Sequence, residues 1–439
     1  MLTAARLSAV ALTAAVLTAT AAPAFAAGSS PSASASASGA ATAAAAPTAS
    51  ATPSAAPLPA GLYGRTDPTY DAVFRQGLSL MALRAEGVTP AASAVSWLTG
   101  QQCADGGWES YRANPATACT PSQEDTNSTS MAIQALVAVG GQDTAVGNAV
   151  AWLKKIQNTG GGWSYNPATP SDANSTGLVD SALQAAGTSP ADVVKDGRNG
   201  VQGLDAFQLG CTAPAAQQGG FAYQPAKGGK LTANDAASAQ AALAEVGGFL
   251  PVAAPTASPS ADPSPTASCS DAKGSAAQYL AKQLGAGGEH ITAAEAGAPA
   301  APDYASTAWA ALSLADAGWS APAASAVQWL RNNGESWIQG QNGVPLSSAL
   351  ALLILDARAT GLNPHAFGTT DLVAQLIAIG PAPAAVPSAS ASTSSAVATA
   401  ASTSGGKGVS PWLVFGLVLL AAIAGGALFS YNRAKGKRS

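Results

Sequence analysis

Six stretches of this chain share one wording, and that repetition limits the fold more than any other feature. They are 72–87 (AVFRQGLSLMALRAEG), 125–140 (DTNSTSMAIQALVAVG), 172–187 (DANSTGLVDSALQAAG), 232–247 (TANDAASAQAALAEVG), 303–318 (DYASTAWAALSLADAG) and 344–361 (VPLSSALALLILDARATG), the last with its glycine two residues late. A polar start, an Ala/Leu body and a closing glycine spell a helix with an N-cap and a left-handed C-cap. The bodies are apolar nearly all round, so each helix is expected to be buried on most of its surface.

Each stretch is followed by a second helical segment of different character: AASAVSWLTGQQ, VGNAVAWLKKIQN, GVQGLDAFQLG, AAQYLAKQLG, SAVQWLRNNG and DLVAQLIAIG. Trp97, Trp152 and Trp329 sit there beside Lys, Arg and Gln, as on an amphipathic outer helix, and are read as packing residues. Hairpins that cannot bury an apolar face alone stack side by side, and six of them close into a ring. The expected fold is all-α: an (α/α)6 toroid of six helical hairpins.

The turns leading into the inner helices repeat as well: GGWESY (106–111), GGWSYNP (161–167) and GGFAYQP (219–225). Trp108, Trp163 and Phe221 are expected to plug the corners between hairpins, while Tyr111, Tyr165 and Tyr223 suit a wet rim.

Composition divides the rest of the 439 residues. Residues 1–26 read as a secretory signal peptide and 27–62 as an Ala/Ser/Pro-rich linker. The toroid is expected over 63–381, interrupted by a low-complexity insertion at 251–268 and followed by a Ser/Thr/Ala-rich stalk at 382–409. Residues 410–431 hold an uncharged run long enough to cross a bilayer, and 432–439 form a basic tail. Basic flanks stay inside, so the expectation is a single-pass cell-membrane protein with the toroid extracellular and the C-terminus cytoplasmic.

A formal net charge of −4 with 10% charged residues argues against a nucleic-acid partner. The four cysteines of an exported chain are expected to be oxidised. Position suggests Cys103 with Cys119 and Cys211 with Cys269, although four cysteines allow three connectivities. No Cys-x-x-Cys occurs and the histidines are His290 and His365 alone, so no metal site is expected.

At the polar starts, Asp125, Asp172 and Asp303 read first as N-caps. If the starts converge, their positive helix ends and spare oxygens form a polar bowl for a ligand. The side chains expected in it are Asp125, Asn127, Thr129, Tyr165, Asp172, Asn174, Thr176, Tyr223, Asn234, Asp235, Asp303 and Thr307.

The turns QQCADGGW and QNTGGGW resemble the repeat of protein prenyltransferases and squalene-hopene cyclases, a superfamily of α/α toroids. The inner segments NSTSMAIQAL and NSTGLVDSALQ resemble helices of the transcobalamin and intrinsic factor branch, whose toroid binds cobalamin without catalysis. No Asp-x-Asp-Asp acid cluster of the terpene cyclases is present, and no cysteine lies near either histidine as a prenyltransferase zinc set would require. What the likeness implies is therefore a non-catalytic toroid requiring no cofactor. Its expected ligand is cobalamin or another corrinoid, held with a separate β-rich capping protein or a transporter. The alternatives are a terpene cyclase or prenyltransferase-type enzyme, and a cell-surface scaffold or adhesion protein.

Overall fold

The computed structural model describes residues 58–256, 267–293, 299–340 and 343–387. The signal peptide, most of the linker, the stalk beyond residue 387, the membrane span and the basic tail lie outside the described residues. Among those described, no helix is long and apolar enough to cross a membrane.

Six inner helices form in the expected places: α1 (Ala72–Ala85), α3 (Thr126–Val139), α5 (Ala173–Ala185), α7 (Asp235–Glu245), α9 (Tyr304–Asp316) and α12 (Ser347–Thr360). The outer helices are α2 (Ala92–Gly100), α4 (Asp143–Ile156), α6 (Gly200–Asp205), α8 (Ala272–Ala286), α10 (Ser320–Asn333) and α13 (Leu372–Ala378), with a short extra helix α11 at Glu335–Gln339. Each inner helix packs against the next, and α12 packs back on α1, so the inner layer closes as the toroid reading requires. Small residues permit the close approach: a Cβ on Gly77 would meet the Met131 carbonyl at 2.8 Å, and one on Gly177 would meet Cα of Ala241 at 2.8 Å. Among the described residues strand is confined to two antiparallel pairs of two residues, β1 (Val194–Lys195) with β2 (Arg198–Asn199) and β3 (Thr292–Ala293) with β4 (Ala301–Pro302).

One sequence register needs correction. Alignment of the fourth repeat on Thr232 puts its cap two residues early; the N-cap is Asn234, whose side chain accepts from the Ala237 amide at 2.8 Å. Helix α7 is accordingly shorter than its neighbours. Outer helix α6 is also short, and its Gly203 lies against Gly162, where a Cβ would come within 2.3 Å of the backbone nitrogen.

The four cysteines pair as position suggested. Cys103 bonds Cys119 and Cys211 bonds Cys269.

One end of the ring is closed by the chain's own strap after α7. The Gly248 carbonyl accepts from Ser181 Oγ of α5 at 2.9 Å, and the Leu250 amide donates to Gln134 Oε1 of α3 at 2.8 Å. Pro255 then lies beside Gly361 at the end of α12, and Gly248 beside the Asp316 carboxylate at the end of α9. Leu250 and Val252 of the strap are buried. A strap that touches α3, α5, α9 and α12 crosses the ring.

Candidate functional site

The opposite end carries the polar starts. The N1 amide of α3 donates to the Tyr165 carbonyl at 3.0 Å, that of α5 to the Tyr223 carbonyl at 3.0 Å, and Val73 of α1 to the Ser110 carbonyl at 3.0 Å. Each of α1, α3 and α5 therefore begins against the turn that leads into the next inner helix, and these N-termini gather at one end.

The Asp-x-x-Ser-Thr wording acquires a physical meaning here. Asp125 accepts from the amides of Asn127 and Ser128 at 2.8 and 3.0 Å, and Ser128 Oγ returns to its second oxygen at 2.7 Å. Asp172 caps the Ser175 amide at 2.8 Å; Asp303 caps the Ser306 amide at 2.9 Å and takes the Ser306 hydroxyl at 2.6 Å. The next residue is fully buried and serves the turn: Thr129, Thr176, Ser238 and Thr307 accept the backbone N–H of Trp108, Trp163, Phe221 and Ile291 at 2.8 to 3.0 Å.

This corrects part of the expected bowl. Thr129, Thr176 and Thr307 turn their hydroxyls into the repeat junctions, because an unpaired buried amide there would cost more than a solvent-facing hydroxyl returns. Asn127 is buried as well. Asn174 and Asp235 are half-buried in the first turns of α5 and α7, and Asn234 is exposed. Asn174 Oδ1 has no hydrogen-bond partner among the described residues. The starts of α3 and α5 are thus submerged, while those of α7 and α9 are more open. Two surface clefts of about 270 and 280 Å³ lie elsewhere, one beside Trp97 and Arg112 and one beside Gln208 and Leu231.

What the structure does bring together is an arc of acids and phenols. Tyr165 hydrogen-bonds Asp125, whose charge is felt at Asp172, and Asp172 in turn faces Tyr223. Farther round, the Tyr279 hydroxyl donates to Asp235, which feels the charge of Asp303. Burial raises both Asp125 and Asp172. Asp125 is surrounded by donors that favour its anion, whereas burial carries the Asp172 carboxyl up to about 6. Burial, with the Asp125 charge second, also raises the Tyr165 phenol.

Other acids went unnoticed in the sequence. Asp180, on the body of α5, is buried with no hydrogen-bond partner for Oδ1 among the described residues, and burial followed by the charges of Glu245 and Asp205 lifts it well above the usual carboxylate range. Glu245, at the end of α7, is pushed up to about 7, first by burial and then by Asp205. Neither oxygen of Asp356 of α12 has a hydrogen-bond partner among the described residues, and burial alone raises it strongly. Their signal was available: a lone acid inside an Ala/Leu run, as in GLVDSAL and LLILDARA.

The Cys103 and Cys119 sulfurs lie with a Glu124 oxygen inside 4.8 Å, but both sulfurs are committed to the disulfide. The aromatic plugs behave as read: Trp108 and Trp163 are fully buried and donate their indole N–H to the Leu98 and Leu153 carbonyls at 2.9 and 2.8 Å.

Residues 63–179 match the family of squalene-hopene cyclase C-terminal domains. That segment carries the first two turns of the repeat, the inner helices α1 and α3 and the first half of α5. Comparison with curated proteins gives no match. Among solved structures, similarity extends to variants of the type II terpene cyclase MstE from Scytonema. One, in complex with geranylgeranyl dihydroxybenzoate, is 14% identical with a TM-score of 0.40 over 68% of this chain and 92% of that one. A wild-type glycosidase is similar at 13% identity and a TM-score of 0.41, over 69% of this chain and 92% of its own.

The family match overturns the expectation of a non-catalytic corrinoid-capturing toroid. The inner-helix wording that suggested the cobalamin carriers is explained by capping and by the turn amide, so it cannot single out one branch of a superfamily built on the same hairpin.

Proposed function

We propose that the toroid, over residues 63–381, is an enzyme of the terpene cyclase type acting on an apolar polyprenyl substrate, with Asp172 as proton donor and Asp125 as the carboxyl beside it. The observation that carries this reading is the match of residues 63–179 to a cyclase family. The chemistry supports it: burial raises both neighbouring carboxyls, and Asp172 holds its proton to about pH 6. Proton transfer from Asp172 to an alkene carbon forms a C–H bond and breaks the π bond. The resulting carbocation is quenched when water takes a proton from a neighbouring carbon, the C–H electron pair forming a new C=C bond, and the Asp172 carboxylate regains its proton from solvent. The export signal and apolar run read from the sequence support a surface-anchored location for this enzyme.

The test is turnover of squalene, its epoxide and geranylgeranyl diphosphate by the full chain in detergent. Cyclised product that falls at least 100-fold in Asp172→Asn supports the reading. Absence of product from all three substrates, or full activity in that variant, overturns it.

A second reading, a cell-surface scaffold, is favoured by the strap, since a ring closed by its own chain at one end offers less room to a substrate.

A further inference from the structure

The strap lies over the densest group of carboxyls that the cyclase reading leaves unused. Asp180 and Ser181 are adjacent on α5, and Ser181 is the residue that fastens Gly248. Glu245 ends α7 two residues before the strap begins, and its Oε2 has no hydrogen-bond partner among the described residues. Asp180 Oδ1, also unpartnered, lies where a Cβ on Gly200 would come within 2.4 Å, so it points towards the start of α6. Asp205, at the end of α6, hydrogen-bonds Glu245.

The remaining elements against Glu245 and the strap add little positive charge. From α8 come Lys273, whose Nζ lies 3.8 Å from where a Cβ on Gly247 would be, and Asp271, the residue before that helix. From α5 comes the neutral Gln184, and from α9 the Asp316 carboxylate beside Gly248. Four carboxyls, Asp180, Asp205, Glu245 and Asp271, thus share one ammonium in a region where burial makes unbalanced charge expensive, and Asp316 stands apart beside Gly248.

We propose that the strap Gly247–Val252 is a pH-released stopper, seated while Asp180, Asp205 and Glu245 share enough protons to limit their repulsion, and freed when they ionise. The titration falls in an accessible range, since Glu245 is pushed up to about 7 by burial and by Asp205. Three carboxylates confined together repel, and the lowest-cost relief is local opening that lets water reach them. Release would uncover the end of the ring that Leu250 and Val252 now fill.

The Leu250 amide reports the state of the strap, because its acceptor is a side chain of α3 rather than a helix carbonyl. Hydrogen exchange of the 247–252 peptide in the full chain, corrected for intrinsic base catalysis, is compared between pH 5.5 and 8.5. Protection is expected to fall at least 10-fold over that range while the peptides of α3 and α9 keep theirs. Glu245→Gln and Asp180→Asn, neutral mimics of the protonated acids, are expected to reduce the fall to under 3-fold. Unchanged wild-type protection overturns the proposal. So does an equal loss in α3 and α9, which would mean general unfolding, or a fall that persists in both variants. None of these readouts depends on turnover, so the stopper and the cyclase reading stand or fall separately.

Discussion

Thr176 Oγ1 clasps the backbone of Trp163 from both sides, accepting its N–H at 3.0 Å and donating to its carbonyl at 3.1 Å. One hydroxyl therefore fixes where the turn ends, where the indole enters the hairpin, and where the inner helix begins. Thr176→Val keeps the shape and removes both bonds, leaving a buried amide without an acceptor. We expect a loss of about 1–3 kcal/mol in urea unfolding, with Thr176→Ser close to wild type.

The first glycine of each turn is fixed by contact as well as by backbone. Gly219 has φ +87°, and a Cβ there would stand 2.0 Å from the Ser275 carbonyl oxygen of α8. Gly106 and Gly161 are placed alike, against Asn148 and Asn199. Gly219→Ala should cost more than about 2 kcal/mol, read as a lowered Tm, because a strained conformation and a backbone clash add. Gly210→Ala, with open space around it, is the control and should be near neutral.

Stability should fall as pH rises through the weakly acidic range. Asp172 and Glu245 release their protons near 4 when unfolded but only at about 6 and about 7 when folded. Between those values the folded chain binds more protons, so the stability these acids allow is fully present below 4 and is lost as pH climbs to 7. Urea midpoints at pH 4.5, 6 and 7.5 should descend in that order. Glu245→Gln should flatten the upper part of the slope, and a midpoint that rises with pH in wild type would contradict the assignment.

The two disulfides should differ in weight. Cys211–Cys269 spans 58 residues and Cys103–Cys119 spans 16. Loop entropy assigns about 4 kcal/mol to the first and about 3 kcal/mol to the second. Paired serine variants, compared by denaturant midpoint, should keep that order.

Much of this fold was legible because the repeat is periodic in the residues that terminate helices. Asp125, Asp172 and Asp303 with the closing glycines bracket their helices, and the Gly-Gly-aromatic turns mark each junction. The fourth repeat misled because Thr232 imitates a cap two residues before Asn234 provides one. The site was less legible. Whether Thr129 or Thr176 faces a cavity or a neighbouring amide depends on a partner 21 or 13 residues away, which spacing within a helix does not reveal. Asp180 and Asp356 belong to no repeated position, and Glu245, which shares its place before the closing glycine with Asp316, reads as an ordinary helix-end acid, so the meaning of all three comes from what surrounds them in space.

The first and last hairpins meet without a turn of the repeat between them. Gly64 donates to the Ile379 carbonyl at 3.0 Å, Arg65 reaches the Ala378 carbonyl at 3.3 Å, and the Tyr63 ring lies against Gly380. At this seam alone, noncovalent bonds do the work that the peptide chain does at the other five junctions. Mechanical pulling on the two ends of the ring would unzip it there before any hairpin yields, and splicing those ends while cutting another junction would move the weak point without altering the wheel.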